Sequence, residues 1–174
     1  PEAWRVATGL SPEGDDPRVL AAPDYDVLVD WPLEIGLHDV QRFEVDGVPH
    51  EIVVWTAGAG VPEEGSGKDE EDRTIWEEMP EDIEKIVREQ RKVFGELPYG
   101  RYVYLVHAYP GGCGGTAHLN STVMGASPRA FEDEKSYERF LGLVSHEMFH
   151  TWNVKRFRPA GLVPYDYTGE NYTD

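Results

Sequence analysis

The sequence predicts an α+β fold, and three observations carry that reading. The first 57 residues form short extended runs broken by turn residues. Two later stretches, about 80–94 and 132–153, repeat apolar residues at spacings of three and four. Between them, 101–108 alternates as a strand and 116–124 reads as another extended segment. The length, 174 residues, is about one ordinary domain's worth. Charge narrows the function classes: 16 Lys and Arg against 33 Asp and Glu give −17, which argues against a phosphate-binding surface and so against nucleic acid. No apolar run approaches the roughly 18–20 residues of a membrane helix, so no membrane span is expected. Cys113 stands alone, excludes an internal disulfide and says nothing of compartment, so cytoplasm and periplasm stay open.

Taken in order, Trp4–Thr8 and Tyr25–Val29 are strand candidates. Phe43-Glu44-Val45, Asp46-Gly47 and the run to Ile52-Val53-Val54-Trp55 predict a tight hairpin, because both central turn positions need positive φ. Pro49 in the second arm points to an edge strand. Four or so strands make a poor domain by themselves, which predicts further structure before Pro1. Residues 58–72 are Gly-rich and then acidic, a surface loop whose carboxylates suit the start of the following helix. In that helix Ile83, Ile86, Val87, Val93 and Phe94 share a stripe, with Pro80 in the first turn, Gly95 as C-cap and Pro98 as the stop. In the next strand Tyr102, Tyr104 and Val106 face one way and Val103, Leu105 and His107 the other. The glycine loop 110–115 lacks a following G-K-[ST], so it reads as a turn or a close backbone approach. In the last helix Tyr137, Leu141, Val144, Met148 and Trp152 form the inward face.

Chemistry concentrates in His146-Glu147-Met148-Phe149-His150. Histidines at i and i+4 project from one helix face, close enough to share a metal ion, and zinc is the metal expected. Glu147 follows His146 and is placed to take a proton from a water activated by that metal. Gly142, one turn earlier, leaves that face open. A hydrolytic zinc takes three protein ligands. Only Asp166, Glu170 and Asp174 supply carboxylates after His150, and spacing alone nominates Glu170.

The run His146 to Pro159, followed by Leu162, Pro164, Asp166-Tyr167 and Glu170-Asn171-Tyr172-Thr173, resembles the glycyl aminopeptidase family of HExxH zinc metallopeptidases. Upstream segments agree: Asp24-Tyr25-Asp26 with Leu28-Val29-Asp30, Phe43 to Gly47 with Pro49-His50, and Phe94-Gly95 with Leu97-Pro98. The resemblance implies a thermolysin-like (gluzincin) catalytic N-terminal subdomain over 68–174, preceded over 1–67 by the tail of a β-sandwich domain and a linker. It implies zinc, a peptide substrate and aminopeptidase-type hydrolysis, with Glu147 as general base. It also implies that the third ligand is a Glu in a Trp-x-x-Glu-Gly stretch just past Asp174, so that the chain is an excerpt lacking one ligand. Glu170 then belongs to another motif and is at most a substitute ligand.

One departure bears on substrate choice. The family has Gly-Gly-x-Glu-His where this chain has Gly114-Gly115-Thr116-Ala117-His118. That Glu suits a free amino terminus, which a methyl cannot pair, so Ala117 leaves an endopeptidase-type variant or a catalytically incomplete peptide-binding module as alternatives. Ala117, His118 and Asn120 are the expected substrate-side residues, on a segment suited to align a peptide by strand addition. His118 reads equally as a surface histidine. His38, His50 and His107 have no partner at ligand spacing and read as ordinary polar residues, and Cys113 lacks a nearby base. The aromatic stretch Tyr165–Tyr172 is expected to expose apolar surface and to favour self-association.

Overall fold

The structure, a computed structural model, describes residues 4–16, 18–57, 74–170 and 172. The loop expected at 58–72 falls outside them. In chain order the elements are β1 (Arg5–Thr8), β2 (Ser11–Pro12), β3 (Leu20–Ala21), α1 (Tyr25–Asp30), β4 (Leu33–Gly36), β5 (Asp39–Val45), β6 (Val48–Thr56), α2 (Ile75–Phe94), β7 (Tyr102–Ala108), β8 (Gly115–Ala117), β9 (Ser121–Ala126) and α3 (Glu134–Phe149). Short 3₁₀ turns occupy Pro128–Phe131 and Ala160–Leu162. The chain is therefore α+β, as expected.

Two antiparallel ribbons, β1–β4 and β2–β3, precede a five-stranded sheet of order β5-β6-β7-β9-β8. β6 and β9 flank β7 in parallel, and the outer pairs are antiparallel hairpins. Parallel neighbours need a crossover, and α2 supplies the one between β6 and β7. The hairpin 39–56, expected to close an N-terminal β part reaching residue 67, is hydrogen-bonded into this sheet through β6 and β7.

The sheet has two apolar faces. Ile52, Val54, Tyr102, Tyr104, Val106 and Met124 face the helices and bury against Met79, Ile83 and Val87 of α2 and Val144 and Met148 of α3. Val53, Val103 and Leu105 face the other way and pack with Ala7 of β1. The alternation along 102–108 thus corresponds to two separate cores, which explains why nearly every residue of β7 is buried.

Four local expectations are corrected. Residues 25–30 form a helix, because Asp24 caps it by accepting the Val27 amide at 2.9 Å, and that local bond overrides the β-branched composition. Pro49 lies on an inner strand. The turn Asp46-Gly47, both with positive φ, leaves Pro49 in a non-hydrogen-bonded pair with Glu44, one residue before β7 pairing begins at His50. α2 begins at Ile75, where Thr74 and Glu77 form a capping box, so Pro80 sits inside the helix. A proline there frees the carbonyl four residues back, and the Gln41 side-chain amide donates to that Trp76 carbonyl at 2.8 Å. α3 spans 134–149, shorter than 132–153, yet Trp152 beyond its end is still buried, stacked on Phe94 at 4.6 Å.

Candidate active site

α3 is anchored at both ends. Asp133 caps its start by accepting the Ser136 amide at 2.9 Å. Near its end the Tyr104 hydroxyl meets Met148 Sδ at 3.2 Å, and the Thr151 hydroxyl donates to Tyr102 at 3.4 Å. The sheet therefore fixes the turn that carries the histidines. His146 lies in the last helical turn and His150 is the C-cap residue, still with helical backbone angles. Gly142 is exposed, and a Cβ added there would meet nothing within 4 Å, so the face ahead of His146 is open.

His146 Nε2 and His150 Nε2 stand 3.1 Å apart, with the rings at 90°. Two nitrogens each about 2.0–2.1 Å from one ion at a near-tetrahedral angle are separated by roughly 3.3 Å, so the pair fits as two ligands of a zinc site. His150 Nδ1 lies 3.0 Å from the Asn153 carbonyl. A carbonyl only accepts, so Nδ1 carries the proton and Nε2 presents its lone pair. The negative end of the α3 dipole also favours a cation here.

Glu147 is 5% exposed and lies under the edge strand β8. A Cβ on Gly115 would come within 2.7 Å of Glu147 Cγ and 2.8 Å of its Oε1. The bare backbone at 115 is what lets the carboxylate occupy this position. Gly125 N donates to Gly114 O, and His118 N donates to Ser121 O. By alternation the amide and carbonyl groups of Gly115 and Ala117 point away from β9, toward the open sheet edge.

The expected substrate-side residues separate. Ala117 pairs with Thr122 and shares the helix-side face with Gly115, next to Glu147. His118 takes the opposite face, where its Nδ1 is 3.8 Å from Asp30 Oδ1, too far for a hydrogen bond. Asn120 is a brace: its side-chain amide donates to the Gly9 carbonyl at 3.0 Å, and a Cβ on Gly9 would collide with its Oδ1. Glu170 is exposed, and its carboxylate accepts from the Tyr172 hydroxyl. Among the described residues no three His, Cys, Asp or Glu side chains form a metal group, so the structure does not bring Glu170 to the histidines. Cys113 is exposed, His50 bonds Tyr99 at 3.1 Å, and His107 pairs with Glu34 at 2.7 Å.

Two residues were missed by sequence reasoning. Gly115 was visible only as one of a glycine run. Asp30 had no local signal at all: it accepts from the Leu119 amide at 2.7 Å and from Lys155 at 2.5 Å, joining α1 to the turn after β8 and to the segment after His150. Burial pushes the Asp30 carboxyl up, but the hydrogen bonds from Lys155 and the Leu119 amide, with the His118 ring 3.8 Å away, outweigh it and hold it down to about 2.

Known proteins resemble the chain at both ends. The family model for M61 glycyl aminopeptidase matches residues 139–174, and the model for the peptidase M61 N-terminal domain matches residues 1–37. No curated protein matches. Among solved structures, an aminopeptidase N family protein from Idiomarina loihiensis is 31% identical with a TM-score of 0.80, over 98% of this chain and 28% of that one. This chain therefore spans a little over a quarter of that protein's length. Both comparisons point to peptidases. The two ends of the chain match the models of the M61 glycyl aminopeptidase and of the peptidase M61 N-terminal domain.

Proposed function

We propose that this chain carries the centre of a zinc-dependent peptidase that hydrolyses peptide bonds in a thermolysin-like catalytic domain, with aminopeptidase-type action by its family. The observation that carries the reading is the pair of Nε2 atoms 3.1 Å apart, with the buried Glu147 carboxylate beside them under an open strand edge. His146 and His150 would hold the metal, together with a third ligand outside the described residues. A zinc ion held there would supply Lewis acidity toward the scissile carbonyl and would lower the pKa of water to about 7. Glu147 takes the proton of the attacking water and delivers it to the leaving amine. The outward groups of Gly115 and Ala117 align the peptide as an added strand, which places its backbone over Glu147.

A second reading, an endopeptidase-type variant or a peptide-binding module without chemistry, is favoured by Ala117 alone. A carboxylate at that place would face the site, and a methyl offers an amino terminus nothing. Zinc content and turnover separate the readings. In the full natural protein, Glu147→Gln should leave zinc bound and lower peptide hydrolysis by roughly 10²–10⁴. Wild-type protein without zinc or turnover supports the binding module. Near-normal turnover in the variant assigns the proton to another residue.

A further inference from the structure

A cavity of about 480 Å³ lies on the sheet face away from α2 and α3, between β1 and the strands β5 and β6. Its size is that of a small-molecule site. Its charge is opposite to that of the chain. In a protein of net charge −17, three guanidiniums (Arg5, Arg42, Arg101) line it against one carboxylate, Glu51. That carboxylate is shared: Arg42 reaches it at 2.9 Å and Arg101 at 3.0 Å. Arg42 and Glu51 are cross-strand partners, so the sheet register itself builds the triad. Arg5 has no carboxylate within 4 Å among the described residues.

An independent observation comes from His38, which lines the same cavity. It is 8% exposed, and its Nδ1 is buried without a hydrogen-bond partner among the described residues. Burial lowers its pKa, so near neutral pH the ring is uncharged and either accepts or donates. A buried polar atom without a partner is costly, and here it belongs to a residue of the cavity wall. Thr8 and the apolar side chains of Ala7, Leu10, Leu20, Val40 and Val53 also line the wall.

We propose that this cavity binds a small amphipathic carboxylate, its head on Arg5 and the Arg42–Glu51–Arg101 triad, its polar edge on His38 and its apolar body along Val40 and Val53. Planar guanidiniums match a carboxylate in a way that a simple positive potential does not. The head group has two sources, the C-terminus of a peptide with an apolar last residue or a short acyl chain. The site is separate from Glu147, which lies on the opposite sheet face.

Methyl spectra of the full natural protein, labelled at valine and leucine, test this with a local readout. N-acetyl-leucine represents the peptide terminus, octanoate the acyl chain, N-acetyl-leucinamide the uncharged control and inorganic phosphate a plain anion. At least one of the two carboxylates should move the Val40 and Val53 methyls saturably, and the stronger of the two identifies the source. Arg5→Gln and Arg42→Gln, both at exposed side chains, should each weaken that binding about tenfold or more. No saturable shift, including occlusion of the cavity by another part of the chain, overturns the proposal. So does equal binding of the amide or of phosphate, or binding indifferent to both arginine variants.

Discussion

Gly115→Ala is the most discriminating perturbation, because its effects on stability and on function are expected to part. The added methyl would meet Glu147 Cγ at 2.7 Å and Cδ and Oε1 at 2.8 Å. Ordinary carbon contacts begin near 3.5 Å, so the carboxylate must move by roughly 0.7 Å or β8 must lift by as much. The atoms in the way are the end of one side chain, which rotates cheaply, and alanine suits an extended strand better than glycine does. The stability change is therefore expected within about 1 kcal/mol. Catalysis is less tolerant, since a misplacement of about 1 Å in a reacting group costs on the order of 10²-fold. Gly115→Ala should accordingly lower kcat for peptide hydrolysis by about 10- to 100-fold, with zinc content retained and Tm nearly unchanged. Steady-state kinetics, metal analysis and a thermal melt on one preparation suffice. Wild-type kcat would refute the packing of Glu147 under β8. Lost zinc would show that the methyl reaches the histidines instead.

The histidine pair predicts that His146→Ala and His150→Ala each abolish stoichiometric zinc at neutral pH, measured by metal analysis after dialysis; undiminished zinc in both places the metal elsewhere. Ala117→Glu sets a carboxylate on the helix-side face beside Gly115, and should favour free-amine over N-blocked peptides by one to two decades, the worth of a charge-assisted contact of about 1.5–3 kcal/mol. An unchanged ratio removes residue 117 from amino-terminal recognition. Asp30 is depressed from 3.8 to about 2, so its contribution of about 2 kcal/mol is present above pH 4 and lost as pH falls through 2. Urea unfolding of wild type and Asp30→Asn should differ by about that amount at pH 6 and converge near pH 2; a constant difference assigns the effect to packing.

Legibility in the sequence followed the range of the interactions. The α3 stripe and the i, i+4 histidines are one-helix properties, and they stand where the periodicity put them. The Asp46-Gly47 turn is equally local, and its two positive φ values are what the dipeptide announces. Residues 25–30 misled because strand-forming composition and an Asp24 cap compete over six residues, and the cap is the stronger signal. Pro49 and Pro80 misled for a different reason. Each lacks a donor, and whether that matters depends on a partner far along the chain: the late start of β7 pairing in one case, Gln41 in the other. The position of β8 at the sheet edge was unreadable, since strand order is fixed by which strands pair, and β9 crosses back to lie between β7 and β8.

That strand order gives the N-terminal segment a part in the site. β8 is three residues long and among the described residues hydrogen-bonds as a strand only to β9, so its placement over Glu147 depends on the turn 118–121 that joins them. Within the sheet the turn is held by the Val103 amide of β7, which donates to the Asn120 carbonyl at 3.1 Å. Two contacts from the first 37 residues add to it: Asn120 donates to the Gly9 carbonyl, and the Leu119 amide donates to Asp30. Asp30 at the same time takes Lys155, whose own amide donates to the His150 carbonyl at 3.0 Å. One carboxylate thus ties the strand that would align substrate to the backbone that carries His150, a proposed metal ligand. Both ends of that link are short and charge-assisted or backbone-mediated, the kind of bond that fixes geometry and not merely proximity. The segment matched by the N-terminal family model is therefore a brace of the site as well as a neighbour of it.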